Sequence, residues 1–257
     1  MSFLSWFLAW RYLKRHPRRK HIAFSTVVSI AGIALGVGAL IIVMGILTGL
    51  EDFITESIIK VDSPLTVLPG DGNVLNIPDS IVEQIEAHPL VRTITPFISG
   101  EAIVRLPSRN IDYGCKIMGI ASDSDFLDNV IESSRYYDLE ELTTGDGTDG
   151  IIMGIYLMDH FYHAKGDTVY IFPPSAFFSS RGGAIGKAVI LGAVETGLPV
   201  NDENLAWIPI ELAQRIYFPS GGYSGFNIHP TAGTNIDQVI TELEIILPAT
   251  VVVSPWQ

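Results

Sequence analysis

Ile33-Ala34-Leu35-Gly36-Val37-Gly38-Ala39-Leu40-Ile41-Ile42-Val43-Met44 is the middle of a longer run, residues 22–50, that contains no Lys, Arg, Asp or Glu. A helix needs roughly 20 predominantly apolar residues to cross a bilayer, and the run is longer than that. A cleaved signal peptide has an apolar core of only about 7–15 residues that ends in a small-x-small site. Leu47-Thr48-Gly49-Leu50 is a poor site of that kind. The run therefore reads as an uncleaved transmembrane helix over residues 22–50.

Charge on either side orients it. Before His21 stand Arg11, Lys14, Arg15, Arg18, Arg19 and Lys20 with no acid, and Glu51, Asp52 and Glu56 follow the run. The basic flank of a membrane helix stays in the cytoplasm, so residues from 51 onward are expected outside it. Ahead of the basic cluster, Phe3, Leu4, Trp6, Phe7, Leu8, Trp10, Tyr12 and Leu13 predict a short interfacial helix over residues 1–21, with tryptophans at headgroup depth and Pro17 as its break. Gly32 and Gly36, and again Gly45 and Gly49, are spaced for close approach by a neighbouring helix.

Composition narrows the rest. The chain has 257 residues and a net charge of −12, but the six early cations hide the balance of the remainder: 10 basic residues against all 28 acids, or −18. That remainder offers no phosphate-neutralising face, which excludes a nucleic-acid partner. A lone cysteine, Cys115, excludes an intrachain disulfide and reads as a small buried residue in a strand.

Residues 51–257 alternate short strands and helices. Residues 51–60 continue the membrane helix as far as Pro64. Strands are expected at 65–68, 93–106, 110–120, 167–172, 187–194, 224–229 and 249–253. Helices are expected at 78–88, 151–162, 210–217 and 236–247, and a long acidic loop at 121–150. This is a mixed α+β domain. Its expected subdomains are about 60–120 with 220–257, and about 121–219. Residues 249–253 are expected beside 65–68, returning both ends of the domain to the membrane.

Catalytic signatures fail one by one. Ser180-Arg181-Gly182-Gly183-Ala184-Ile185-Gly186-Lys187-Ala188 approaches a phosphate-binding loop, but Arg181 replaces the first glycine and Ala188 the magnesium-binding hydroxyl. Gly222-Tyr223-Ser224-Gly225-Phe226 lacks the second glycine of a nucleophile elbow. His160 and His163 lie one turn apart beside Asp159 but have no third ligand near in sequence. Asp123, Asp125, Asp128, Asp146 and Asp149 do not follow the spacing of a calcium loop. No catalytic residue, no cofactor-binding residue and no metal ligand is assigned, and the chain is not expected to be an enzyme.

Several stretches together resemble the permease subunits of lipoprotein-releasing ABC transporters (the LolC/LolE type). They are the basic N-terminal elbow, Ser29-Ile30-Ala31-Gly32-Ile33-Ala34-Leu35-Gly36-Val37, the exit Thr48-Gly49-Leu50-Glu51, Gly166–Ala176, and Ala206-Trp207-Ile208-Pro209-Ile210 running on to Tyr217-Phe218-Pro219. The wider family includes MacB-like exporters and FtsX-like permeases. The resemblance implies one N-terminal membrane helix plus a MacB-like periplasmic core, in the bacterial inner membrane. It implies a separate cytoplasmic ATPase, a second permease subunit, a periplasmic lipoprotein carrier and lipoprotein cargo. Such subunits carry three further membrane helices, and this chain stops at Pro255-Trp256-Gln257, about where the second would begin. The chain is then a fragment or the product of a truncated gene. A protruding hairpin recruits the carrier in that family, which assigns a hook to Pro174, Phe177, Phe178 and Arg181, with the adjacent phenylalanines as its apolar anchors. A mechanical coupler of the MacB or FtsX kind and a single-pass binding or sensor module are the competing readings.

Overall fold

The computed structural model describes residues 20–61, 63–70, 74–121, 142–178, 184–231, 233–248 and 250–255, together with Phe7 and Arg11. Those two early residues are helical; the remainder of the expected interfacial helix lies outside the described residues. The chain divides into two compact units, residues 1–54 and 55–257.

Helix α1, Lys20–Val61, contains the apolar stretch Phe24–Leu50, 27 residues with a mean hydropathy of 2.7 and none of it buried. By length and composition it is sufficient to cross a membrane. Its β-branched residues are no obstacle there, since all backbone hydrogen bonds close within the helix. Gly32, Gly36, Gly45 and Gly49 each open onto free space, with nothing within 4 Å of a Cβ built there. At about 100° per residue, the first pair and the second lie on stripes roughly 140° apart.

In the second unit, strands β1 (Leu65–Pro69), β2 (Val91–Leu106), β3 (Ile111–Ile120), β4 (Gly150–Gly154), β5 (Thr168–Phe172), β6 (Gly186–Val194), β7 (Leu205–Pro209), β8 (Gly225–Pro230) and β9 (Val251–Pro255) form one sheet. Its order is β3-β7-β4-β6-β5-β2-β8-β1-β9, with a further pairing of β3 to β2. That extra pairing closes β3, β7, β4, β6, β5 and β2 into a six-stranded barrel and leaves β8, β1 and β9 as an extension from β2. Closure removes the barrel's free strand edges.

Alternation fills the barrel. Ala102, Val104 and Leu106 of β2, Cys115 and Ile117 of β3, Val169 and Ile171 of β5, and Ala188 and Ile190 of β6 point into one core. Helix α3 (Ile155–His160) adds Leu157 and Met158, and α6 (Ile210–Tyr217) adds Leu212, Ala213 and Ile216. Met118, Ile120, Leu142, Ile152, Val194, Leu205 and Trp207 make a second cluster. The extension has a core of its own, in which Leu65, Val67, Ile94, Ile228 and Val253 meet Ile85 of α2 (Asp79–Glu86) and Val239 and Leu243 of α7 (Ile236–Ile246).

The expected pairing of the domain's two ends is present: β1 and β9 run antiparallel, with Val67 opposite Val253 and Leu65 opposite Pro255. One expectation fails. Residues 151–162 are not a single helix; Gly150–Gly154 is a strand, and the helix begins at Ile155. Every residue of β4 is buried, between parallel β6 and antiparallel β7. A short apolar run covered on both faces shows no alternation, so periodicity misreads it as helix. Strand β7 is likewise buried throughout and was not expected as a strand, nor was the one-turn helix α5 (Pro199–Asn204). Of the loop at 121–150, residues 122–141 lie outside the described residues. The remainder is a turn in which Asp146 accepts hydrogen bonds from Thr144 and Thr148.

Helix α5 is fastened by Asp202, 2% exposed, whose Oδ1 accepts from both the backbone N–H and the hydroxyl of Thr196, each at 2.7 Å. Burial raises the Asp202 pKa above the usual carboxylate range. Beneath it lies Gly154, where a Cβ would fall 2.3 Å from the Asp202 carbonyl oxygen. Asp202→Ala strands two buried donors and should lower stability by about 1–3 kcal/mol. Asp202→Asn keeps an acceptor and should lower it less. Gly154→Ala forces backbone apart and should cost about 1–3 kcal/mol. Unfolding midpoints of the three variants in one lipid preparation check this; equal midpoints for Asp202→Ala and the parent would refute the role of Asp202.

Candidate functional site: the outer barrel face beside Phe177

Alternation that fills the barrel turns the other residues of the same strands outward. On β2 these are Glu101, Ile103 and Arg105, all exposed. Register then sets rows across neighbouring strands. Asp112, Arg105, Tyr170 and Lys187 make one row, Gly114, Ile103 and Phe172 the next, and Lys116 with Glu101 the third. An apolar row thus runs between two charged ones.

The first row is braced. Arg105 donates from Nε and Nη2 to the two carboxylate oxygens of Asp112, both at 2.6 Å. That hydrogen bonding holds the Asp112 pKa below the usual carboxylate range and raises that of Arg105. The pair is solvent-exposed and adds little stability. Its effect is orientation: the guanidinium carbon sits 5.4 Å from the centre of the Phe172 ring, a cation–π contact that fixes the edge of the apolar row.

Strand β5 ends at Phe172, and Pro173-Pro174 turns the chain into the single helical turn α4, Ser175–Phe178. The Ala176 and Phe177 N–H groups donate to the carbonyls of Pro173 and Pro174 at 2.9 and 3.0 Å. This turn brings Phe177 back beside its own strand, with ring centres of Phe177 and Phe172 6.2 Å apart and tilted by 33°. Phe177 remains 59% exposed. Between the turn and the sheet lies a cavity of about 540 Å3, lined by Ile103, Gly114, Phe172, Pro174 and Phe177, with Glu101, Lys116 and Asn204 among its polar groups.

Of the four hook residues, the structure therefore places Pro174 and Phe177 on one rim, both exposed. Phe178 closes α4, but its side chain, and the whole of Arg181, lie outside the described residues. Sequence reasoning missed Ile103, Gly114, Phe172 and Lys116. A signal was available: in Glu101-Ala102-Ile103-Val104-Arg105-Leu106 the outward position 103 is apolar where alternation calls for a polar residue.

Asp123, Asp125 and Asp128 lie outside the described residues; the other sequence candidates that are described have structural partners. His160 stacks on Tyr113 with ring centres 4.2 Å apart, while His163 pairs with Asp159 at 2.9 Å. Asp149 pairs with Arg215. Among the described residues no three His, Cys, Asp or Glu side chains gather as a metal site would require. Ser224 Oγ accepts from the Ser99 N–H at 2.9 Å, tying the residue before β8 to β2. Cys115 is buried, and burial pushes its thiol up to about 12, away from nucleophilic use.

The family described as "MacB-like periplasmic core domain" matches residues 26–246. Among curated proteins, the lipoprotein-releasing system transmembrane protein LolC of Neisseria meningitidis serogroup B is 27% identical over 222 residues, which is 84% of this chain and 52% of LolC. This chain spans about half the length of that relative. Among solved structures, the periplasmic region of MacB from Actinobacillus actinomycetemcomitans aligns over 77% of this chain and 91% of its own, at 12% identity and a TM-score of 0.48. The extracellular domain of the noncanonic ABC-type transporter YknZ from Gram-positive bacteria aligns over 74% and 98%, at 11% identity and a TM-score of 0.48. The match of the family across most of its length, on a mixed α/β unit that follows one apolar helix, makes this chain a member of the family of MacB-like periplasmic core domains.

Proposed function

We propose that this chain is the N-terminal part of an ABC transporter permease that releases lipoproteins from the inner membrane and passes them to a periplasmic carrier. The observation that carries this reading is the LolC relationship, which covers 84% of this chain. The chain itself is not an enzyme in this reading. A separate cytoplasmic ATPase supplies the energy, and a second permease subunit, of the same or a related chain, completes the membrane part. Residues 1–21 lie in the cytoplasm, α1 spans the inner membrane with its glycine stripes against neighbouring helices, and residues 51–257 lie in the periplasm. The division of that part into subdomains of about 60–120 with 220–257, and about 121–219, belongs to the same proposal. It draws support from the separate core that β1, β8 and β9 form with α2 and α7.

Orientation rests on the six cations ahead of α1 and the acids beyond it. A periplasm-specific reporter fused after Gln257 should be active. Activity of a cytoplasm-specific reporter at that junction would reverse the topology.

The hook comprises Pro174, Phe177, Phe178 and Arg181. Its support is the 59% exposure of Phe177 on a short, proline-started turn, since exposed aromatic surface marks binding sites. Phe177 and Phe178 anchor the carrier, and Arg181 supplies a rim contact. Replacing both phenylalanines by Ser should abolish carrier binding, a loss of tenfold or more in affinity, and leave the thermal midpoint nearly unchanged. A large fall in the midpoint, with binding retained per folded molecule, would assign the two rings to the core instead.

A further inference from the structure

The cavity beside Phe177 has a floor that a plain sheet face lacks. Gly114 lies in the middle of β3, opposite Ile103, and a Cβ built on it meets nothing within 4 Å. Glycine inside a strand is destabilising relative to alanine, and here no close neighbour requires it. Its missing side chain is what opens the trough between Ile103 and the Phe172 and Phe177 rings. The trough is apolar along its length and polar at one end, where Glu101 and Lys116 face each other across the strands near Asn204. Lys116 forms no ion pair with any described residue.

The chemistry of the walls selects the occupant. Ile103, Val104 and Arg105 of β2 are paired with β3 on one side and β5 on the other, so their backbone groups are already engaged. An extended peptide laid over β2 would find no ladder to join there, and its own buried N–H and C=O groups would go unsatisfied. A hydrocarbon chain has no such groups and gains free energy with each CH2 it buries. A space of about 540 Å3 lies within the range of small-ligand sites and is too small for a folded element. From this geometry we infer that the trough over Gly114 holds one acyl chain of a lipid-modified protein, with the polar start of the lipid at the Glu101–Lys116 end. This rests on the lipoprotein-release reading and adds to it a resting place for the acyl chain on the folded unit.

The test uses the full chain in lipid nanodiscs and a dipalmitoylated peptide bearing a diazirine at the end of one acyl chain. After photolysis, cross-links are mapped by mass spectrometry. Free palmitate with the same diazirine, and a lysophospholipid with it, are run as parallel arms. The expected result is cross-linking of the lipopeptide to residues 101–116 and 172–177. Gly114→Leu, whose Cβ meets nothing within 4 Å and whose side chain would occupy the trough, should reduce it at least tenfold without lowering the thermal midpoint. Ile103→Glu, at an already exposed position, should do the same and guards against misfolding of the first variant. Lipopeptide cross-links confined to α1, or undiminished in both variants, overturn the proposal. So does labelling of the trough by palmitate or lysophospholipid but not by the lipopeptide. No carrier is present, so failure here leaves the carrier-binding result of the hook variants standing, and failure there leaves this one standing.

Discussion

Strand β2 is the constraint on which the second unit depends. Its 16 residues are shared by two cores. Val91 and Ile94 pack with the extension, and Ile98, Ala102, Val104 and Leu106 pack inside the barrel. It pairs with β8 from Val91 to Phe97, with β3 from Phe97 to Leu106, and with β5 at Ile103 to Arg105. A slip of one residue in any of these ladders would turn its buried set outward, and a slip in one drags the others with it. The outward row of Gly114, Ile103 and Phe172 is therefore fixed by packing on the opposite side of the same strands. The face needs no bracing of its own beyond the Arg105–Asp112 pair.

The same strand explains how a domain with both ends at one place presents a distant face. The described part of the unit's sheet starts at Leu65 and ends at Pro255, which are register partners. From them the ladder runs through β8 to β2, and along β2 to the barrel. Hydrogen-bonded strands slide poorly, because every ladder bond must break together. A force applied at the Leu65–Pro255 end of the sheet therefore reaches the barrel as a displacement of the whole strand more readily than as a local deformation.

Legibility in the sequence followed periodicity. The apolar run of α1, the long alternating hairpin of β2 and β3, and the amphipathic helices α6 and α7 each carry a period that only one element can satisfy. The pairing of the domain's ends was also readable, from turn signals and the position of the last apolar run. Strands β4 and β7 were not, because a strand buried on both faces has no period to read. Barrel closure was hidden for the same reason, since both strands are needed to complete the ring. At the site, the aromatic pair at 177 and 178 drew notice through the hook that the resemblance assigns. Ile103 violates alternation, but a single apolar residue among apolar neighbours is easily absorbed into a strand's core face.

That difference bears on what the Phe177 turn is. Seen in sequence, residues 173–186 are a loop and Phe177 its aromatic tip. In the fold, the turn lies over its own strand, and the Phe177 ring continues the row that Ile103 and Phe172 begin. Exposed aromatic surface on a free loop and exposed aromatic surface on the wall of a trough differ physically. The first gains area only when a partner closes over it, and the ordering of the loop opposes that gain. The second is already held by a proline-started turn and a neighbouring ring, so less ordering is left for binding to supply. Preorganisation of this kind lets a shallow apolar surface bind through a few rigid contacts rather than through an enclosing pocket.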